Sequence, residues 1–383
     1  MTATDPELRN PNLPKRLRNA RRDRGLTQEA VADQLGLART SLVALEKGER
    51  AVRPDELVAM AGLYGRTVDE LLRPTPPVED FIGQFRTSLS RTDDAEALED
   101  AIRTVERYAE DYRELERRAG VTSDHSYPAP YAIDGVPPAA AATEIASTER
   151  NRLGLGDGPI ANLRDILETK IGIRVFFIEL PSRIEGFFAF TPETGACIAV
   201  NANHPVERQQ WTMAHELAHF LTRRLVAEIT VAKGPPRGRV LPHERFAEAF
   251  AGEFTMPASG LTRDFNAIRR TRPDGVTPGA LVELAAFYRV SFQALVVRLE
   301  GLGLLPRGTF DMLQGERFSV TEARRLLGLA APEPDARVLP VRYVTLAVDA
   351  YRDGRISEGA FARFLRLDRV TAREVARTLA RTP

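Results

Sequence analysis

The sequence predicts a multidomain, mainly α chain: an all-α amino-terminal unit, an α+β unit with a small sheet, and a helical carboxy-terminal region. Three observations carry this. Short apolar stripes at helical spacing, punctuated by glycine, fill residues 10–73. Three β-rich runs, 173–180, 186–190 and 196–200, stand together just before an apolar helix at 211–221. Beyond residue 261 only helical periodicity returns. The 383 residues suffice for two or three domains with their connections, and the breaks divide the chain into 10–73, 74–138, 139–305 and 306–383.

Lysine plus arginine equals aspartate plus glutamate at 53 each, so no global field draws the chain to nucleic acid, and any such binding is local. The single cysteine, Cys197, excludes an internal disulfide and suits a reducing cytoplasm, the compartment expected here. The first eighteen residues lack the apolar core of a secretory signal. No run reaches the roughly 18 apolar residues of a membrane span, so no membrane partner is expected.

Leu13, Leu17 and Ala20 make the first helical stripe, set among Lys15, Arg16, Arg18, Arg21, Arg22 and Arg24 with Asp23 the one acid. Gly25 ends that helix and Thr27 caps the next, 28–35. Gly36 makes a tight turn into a third helix over 39–46, with Leu42 and Leu45 inward. Pro54 opens a fourth, and Val68, Leu71 and Leu72 close the unit. Short helix, glycine turn, short helix is the helix-turn-helix pattern. The wording Leu26-Thr27-Gln28-Glu29-Ala30-Val31-Ala32, then Ser41-Leu42-Val43-Ala44-Leu45-Glu46-Lys47-Gly48, resembles the lambda-repressor-like (XRE) family. The resemblance implies a five-helix domain whose third helix enters the major groove of double-stranded operator DNA. Arg39, Thr40 and Ser41, with Ala44 one turn later, would then face base edges, and Gln28, Lys47 and Arg50 would hold phosphates. Ala44 departs from the long polar residue that family members often carry there, which puts direct readout at that position in doubt.

Pro74, Pro76 and Pro77 end the first unit. Leu98, Ile102, Val105, Ala109 and Tyr112 then repeat at spacings of four and three. That stripe is a seam about two heptads long. It serves equally as a homodimer contact through 95–115, suited to paired DNA half-sites, or as packing on the chain's own body. Residues 121–138 hold four prolines and no periodicity, and read as a linker.

An alanine-rich helix is expected over 138–153 and another over 163–170, before the β-rich runs. The five-residue loop from Thr191 to Gly195 is of hairpin length, so the sheet is partly antiparallel. The helix that follows carries His215, Glu216 and His219 as H-E-x-x-H. Positions i and i+4 share a helix face, so both imidazoles can reach one metal, with Glu216 placed as general base. A catalytic zinc takes three protein ligands and keeps a place for water. The residues of 243–257 leave the third ligand open among Glu244, Glu248, Glu253 and His243, with Glu244 on the rim of the stripe made by Phe246, Ala247, Phe250, Ala251 and Phe254. Cys197 has two readings: a small buried strand residue, or a regulatory thiol that occupies the metal's open place. His204 and Tyr288 are uncommitted candidates for stabilising an oxyanion.

The run from Arg208 to His219, followed by Glu244-x-x-Ala247-x-x-Phe250-Ala251 and Met256-Pro257, resembles the ImmA/IrrE family of metallopeptidases over roughly residues 140–305. The resemblance implies a zincin-like domain binding Zn2+ through His215, His219 and Glu244, with Glu216 catalytic. It also implies a substrate: a DNA-binding repressor, cleaved to derepress genes in stress or mobile-element responses. The alternative is a regulator whose peptidase-like domain senses a ligand or metal without proteolysis. A second helix pair around the turn 289–291 resembles that family's helical extension. Helices are expected over 317–328, 340–353, 357–366 and 369–380, the last two capped by Ser357 and Thr371.

Overall fold

The computed structural model describes residues 10–74, 81–89, 94–121, 127–231, 240–272, 275–330 and 332–379. Pro76, Pro77 and the 122–126 part of the expected linker lie outside them. The chain begins with α1 (Leu13–Asp23), α2 (Gln28–Leu35), α3 (Arg39–Lys47), α4 (Pro54–Tyr64) and α5 (Val68–Leu71). The Thr27 hydroxyl accepts from the Ala30 amide at the start of α2, and Gly36 closes it at φ 64°, a left-handed turn only glycine makes cheaply. Leu17, Val31, Leu42, Leu45 and Met60 fill the core between these helices.

Two further helices, α6 (Phe81–Leu89) and α7 (Ala95–Ala119), precede the sheet. The stripe of α7 is buried inside this chain: Leu98, Ile102, Val105, Ala109 and Tyr112 join Phe176 and Phe187 of the sheet and Tyr343 and Phe361 from the far end of the sequence. The homodimer expectation through 95–115 is corrected accordingly. A two-heptad stripe marks a face that must be covered, and the chain covers it itself.

The α+β unit follows: α8 (Pro138–Leu153), α9 (Leu163–Ile166) running into a π-helical turn (Leu167–Ile171), β1 (Arg174–Ile178), β2 (Ile184–Thr191), β3 (Gly195–Asn201), α10 (Val206–Arg223), β4 (Glu228–Val231) and α11 (Pro242–Thr255). The strand order is β1-β3-β2-β4. β1 runs parallel to β3, while β2 is antiparallel to both β3 and β4. Neither β4 nor α6 is expected from the sequence. The described part of the expected linker is packed rather than free: the Tyr131 amide donates to the Leu221 carbonyl, and the Tyr127 ring meets Phe220 edge-on at 5.0 Å.

The remaining helices are α12 (Ala258–Thr271), α13 (Pro278–Tyr288), α14 (Phe292–Gly301), α15 (Thr309–Gly315), α16 (Val320–Leu326), α17 (Val341–Arg352), α18 (Glu358–Leu365) and α19 (Arg369–Leu379). Helices α12–α16 close their own core around Leu261, Tyr288 and Leu295. Helices α17–α19 pack instead with α6, α7 and the sheet. Ser357 caps α18 as expected. Thr371 caps nothing: Asp368 accepts from the Val370 and Thr371 amides, because an aspartate one residue before the helix reaches those donors first. The fold is thus mainly α, with an all-α head, an α+β unit and a helical carboxy-terminal region. No single helix among the described residues is long and apolar enough to cross a membrane.

The head docks through ion pairs. Arg103 of α7 meets Asp23 of the head at 2.8 Å, and Arg66, also of the head, holds the same carboxylate at 2.6 Å. Arg73 meets Asp111 at 2.6 Å, and the same carboxylate takes Arg366 from beyond α18. Arg118 and Arg363 meet Asp69 of α5 at 3.2 and 3.5 Å.

Candidate metal centre and nucleic-acid interface

Helix α10 is buried along most of its length: Ala214, Leu217, Ala218, Phe220 and Leu221 are fully enclosed. It lies close against the sheet because β2 offers Gly186 there. A Cβ at that position would stand 2.4 Å from the Ala199 carbonyl oxygen and 2.8 Å from the Thr212 methyl. Helix α11 starts at Pro242, packs through Phe246, Ala247, Phe250, Ala251 and Phe254, and presents Glu244 in its first turn. A carboxylate is favoured there by the helix dipole.

These two helices bring together His215, His219 and Glu244, whose ligand atoms lie within 4.8 Å of one another. The two imidazole Nε2 atoms are 3.1 Å apart. Glu244 Oε2 is 3.4 Å from His215 Nε2, and Oε1 is 3.6 Å from His219 Nε2. Tetrahedral zinc with bonds of about 2.0–2.1 Å sets its donors about 3.3 Å apart. The three separations therefore fit that ion, and two nitrogens with one carboxylate are a donor set it takes.

The electrostatics agree with a site built for a cation. His215 is 5 % exposed in its side chain, and burial alone would lower its pKa. Hydrogen bonding to Glu244 and Glu248 and the charge of Glu216 outweigh that and raise it to about 10. His219 is driven down to about 3 by burial and by the neighbouring His215. Burial pushes Glu244 up, but its bond to His215 and the other imidazoles bring it to about 2.

Glu216 is fully buried, and its Oε1 accepts a 2.6 Å hydrogen bond from the Thr230 hydroxyl on β4. Sequence reasoning missed Thr230, because no motif marks it and β4 itself was not foreseen. His243 also sits closer than expected: its Nε2 is 3.6 Å from Glu244 Oε1, and its ring centre lies 6.2 Å from that of His219. The weaker ligand candidates separate. Glu253 pairs with Arg298 at 2.5 Å, and Glu248 lies at the far nitrogen of His215, 3.7 Å from Nδ1. Tyr288 donates to Asp264, and His204 Nε2 lies 3.0 Å from the Ser182 carbonyl, so neither is engaged at the His pair.

Cys197 is corrected as a regulatory thiol. Its neighbours in β3, Ala196, Ile198 and Val200, face the α10 core, whereas Cys197 and Ala199 face the opposite core with α7. The sheet stands between the thiol and the His pair. Burial also pushes the thiol up to about 11, so it is no ready thiolate.

On the head, Arg39 and Thr40 are exposed at the start of α3, Lys47 is exposed at its end, and Ser41 and Ala44 are half-buried. The docking pairs above involve α1, α5 and the segment around Arg73, leaving this end of α3 open. Gln28 and Arg50 are otherwise committed. Gln28 donates to Glu46 at 2.9 Å, alongside the buried Arg21–Glu46 pair, and Arg50 donates to Glu56 at 2.7 Å. Both tie the motif together, so for phosphate contact they offer less than the sequence suggests.

A helix-turn-helix head joined to an H-E-x-x-H helix on a mixed sheet, with a carboxylate supplied by the next helix, defines a DNA-binding regulator with a metallopeptidase-like domain. The family comparisons make this particular: residues 168–300 match the IrrE N-terminal-like domain, and residues 17–71 match the helix-turn-helix family. Both resemblances read from the sequence are met. No curated protein matches the chain.

Proposed function

We propose that this chain is a zinc endopeptidase tethered to operator DNA, and that its substrate is a transcriptional repressor. The observation that carries the reading is the convergence of His215, His219 and Glu244 beside Glu216. His215, His219 and Glu244 would hold the ion. Zinc bound there supplies Lewis acidity, lowering the pKa of water and polarising a carbonyl. Glu216 is the proton carrier: its carboxylate takes a proton from the attacking water and returns it to the amine nitrogen as the C–N bond breaks. The products are an acid and an amine, with water consumed. Thr230 fixes the rotation of that carboxylate through Oε1. A general base in this position is something a pure sensor has no use for.

The head supports the choice of substrate. An exposed α3 start carrying Arg39 and Thr40 is suited to the major groove. Binding beside a repressor raises the protease's effective concentration near it. We assign the head to 10–73 and the peptidase unit to 139–305, and place the activity in the cytoplasm. The test is co-expression of the chain, or Glu216→Gln, with repressors encoded nearby. Fragments that depend on Glu216 are expected, with about one zinc per purified chain by elemental analysis. A chain purified without zinc, or cleavage indifferent to Glu216→Gln, would overturn the reading. Normal transcriptional control by Glu216→Gln without any cleavage would favour a non-proteolytic regulator.

A further inference from the structure

Glu248 lies outside the ligand set, and the structure gives it a place of its own. It stands four residues after Glu244 on α11, so both carboxylates project from one face of that helix toward α10. Glu244 meets the His215 ring at Nε2, 3.4 Å away, and Glu248 Oε2 lies 3.7 Å from Nδ1 of the same ring. Each nitrogen of one buried imidazole is thus faced by a carboxylate from a single helix. The two ring nitrogens point apart, so a group seated at Nδ1 cannot share an ion held at Nε2. Glu248 is therefore no spare ligand.

An imidazole that binds a metal through one nitrogen carries its proton on the other. A carboxylate at that second nitrogen fixes the tautomer and the ring orientation and makes the ligating nitrogen more basic. We infer that Glu248 is a positioning residue: it holds His215 with its proton on Nδ1 and so presents Nε2 to a divalent cation. The inference rests on the metal-site reading of His215, His219 and Glu244. It adds that α11 builds the site twice over, with one carboxylate in the coordination sphere and one behind it.

The test is zinc affinity of the full-length protein, measured by competition with a chromophoric chelator. The proteins compared are wild type, Glu244→Ala, Glu248→Ala and Glu248→Gln. Loss of a carboxylate behind a metal-bound histidine weakens binding about 10–100-fold, and that range is expected for Glu248→Ala. Glu248→Gln keeps an oxygen acceptor for Nδ1–H and is expected to fall between Glu248→Ala and wild type. A merely structural role would not produce that graded order. Nitrogen NMR of histidine-labelled, zinc-loaded protein should show His215 protonated on Nδ1. Wild-type affinity in Glu248→Ala, or in Glu248→Gln should the alanine variant not fold, would overturn the inference. Wild-type affinity in Glu244→Ala would instead overturn the metal-site reading itself.

Discussion

On one face of the sheet, Val175, Ile198 and Val200 meet α8, α10 and α11, which come from the same stretch of chain as the sheet. On the other face, Phe176, Phe187 and Cys197 meet α6 and α7, which precede the α+β unit, and α17–α19, which begin 140 residues after β3 ends. The first face carries every group of the candidate metal centre. The second carries the attachment of the head. Chemistry is thus built from neighbouring segments, while support is assembled from the two ends.

This contrast can be broken or sharpened by substitution. The largest effect is expected on the α10 face: His219→Ala should reduce zinc from about one per chain to near none by elemental analysis. Its metal-free unfolding midpoint should change little. Retained stoichiometric zinc would detach the ion from this face. Phe361→Ala, on the opposite face, should cost about 3–5 kcal/mol in urea denaturation, since a fully buried aromatic leaves a cavity. The zinc affinity of its folded fraction should stay at the wild-type value. A parallel loss of affinity would show that the two faces are not separable.

A smaller effect concerns protons. In the metal-free protein His215 holds its proton up to about pH 10, whereas His219 is neutral and Glu244 ionised near neutrality. Zinc uptake at pH 7.5 should therefore release about one proton, read by calorimetry in buffers of different ionisation enthalpy. The release should vanish as pH rises past 10. The same raised pKa gives the metal-free protein a stabilising contribution that is complete below the unfolded value of 6.5 and lost as pH rises toward 10. The smallest effect is on Cys197: its buried thiol should stay unmodified by a thiol reagent at pH 8 until the protein is denatured. Rapid labelling of the native protein would reopen a regulatory role.

The metal-bearing face was largely legible in the sequence, and for stated reasons. H-E-x-x-H fixes two donors by helix geometry, and α8 begins at Pro138 and ends before Gly154 as its punctuation requires. The β2–β3 hairpin follows from alternating apolar runs around a short loop. β4 was not legible, because four residues show no period and its partner β2 lies far upstream. Thr230 went with it. Strand alternation separates Cys197 and Ala199 from Ile198 and Val200, but only the packing says which pair faces α10. The stripe on α7 announced a covered face without naming what covers it.

The junction at Asp111 has a consequence of its own. One buried carboxylate receives guanidinium groups from Arg73, at the end of the head, and from Arg366, near the far end of the chain. Removing an ion partner inside a protein leaves a stranded charge, and here two would be stranded together. Head, connector and tail thus share one carboxylate, while Asp23–Arg103 and Asp69–Arg118 tie the head to α7 separately, so loosening the tail would weaken the seat of the head without releasing it.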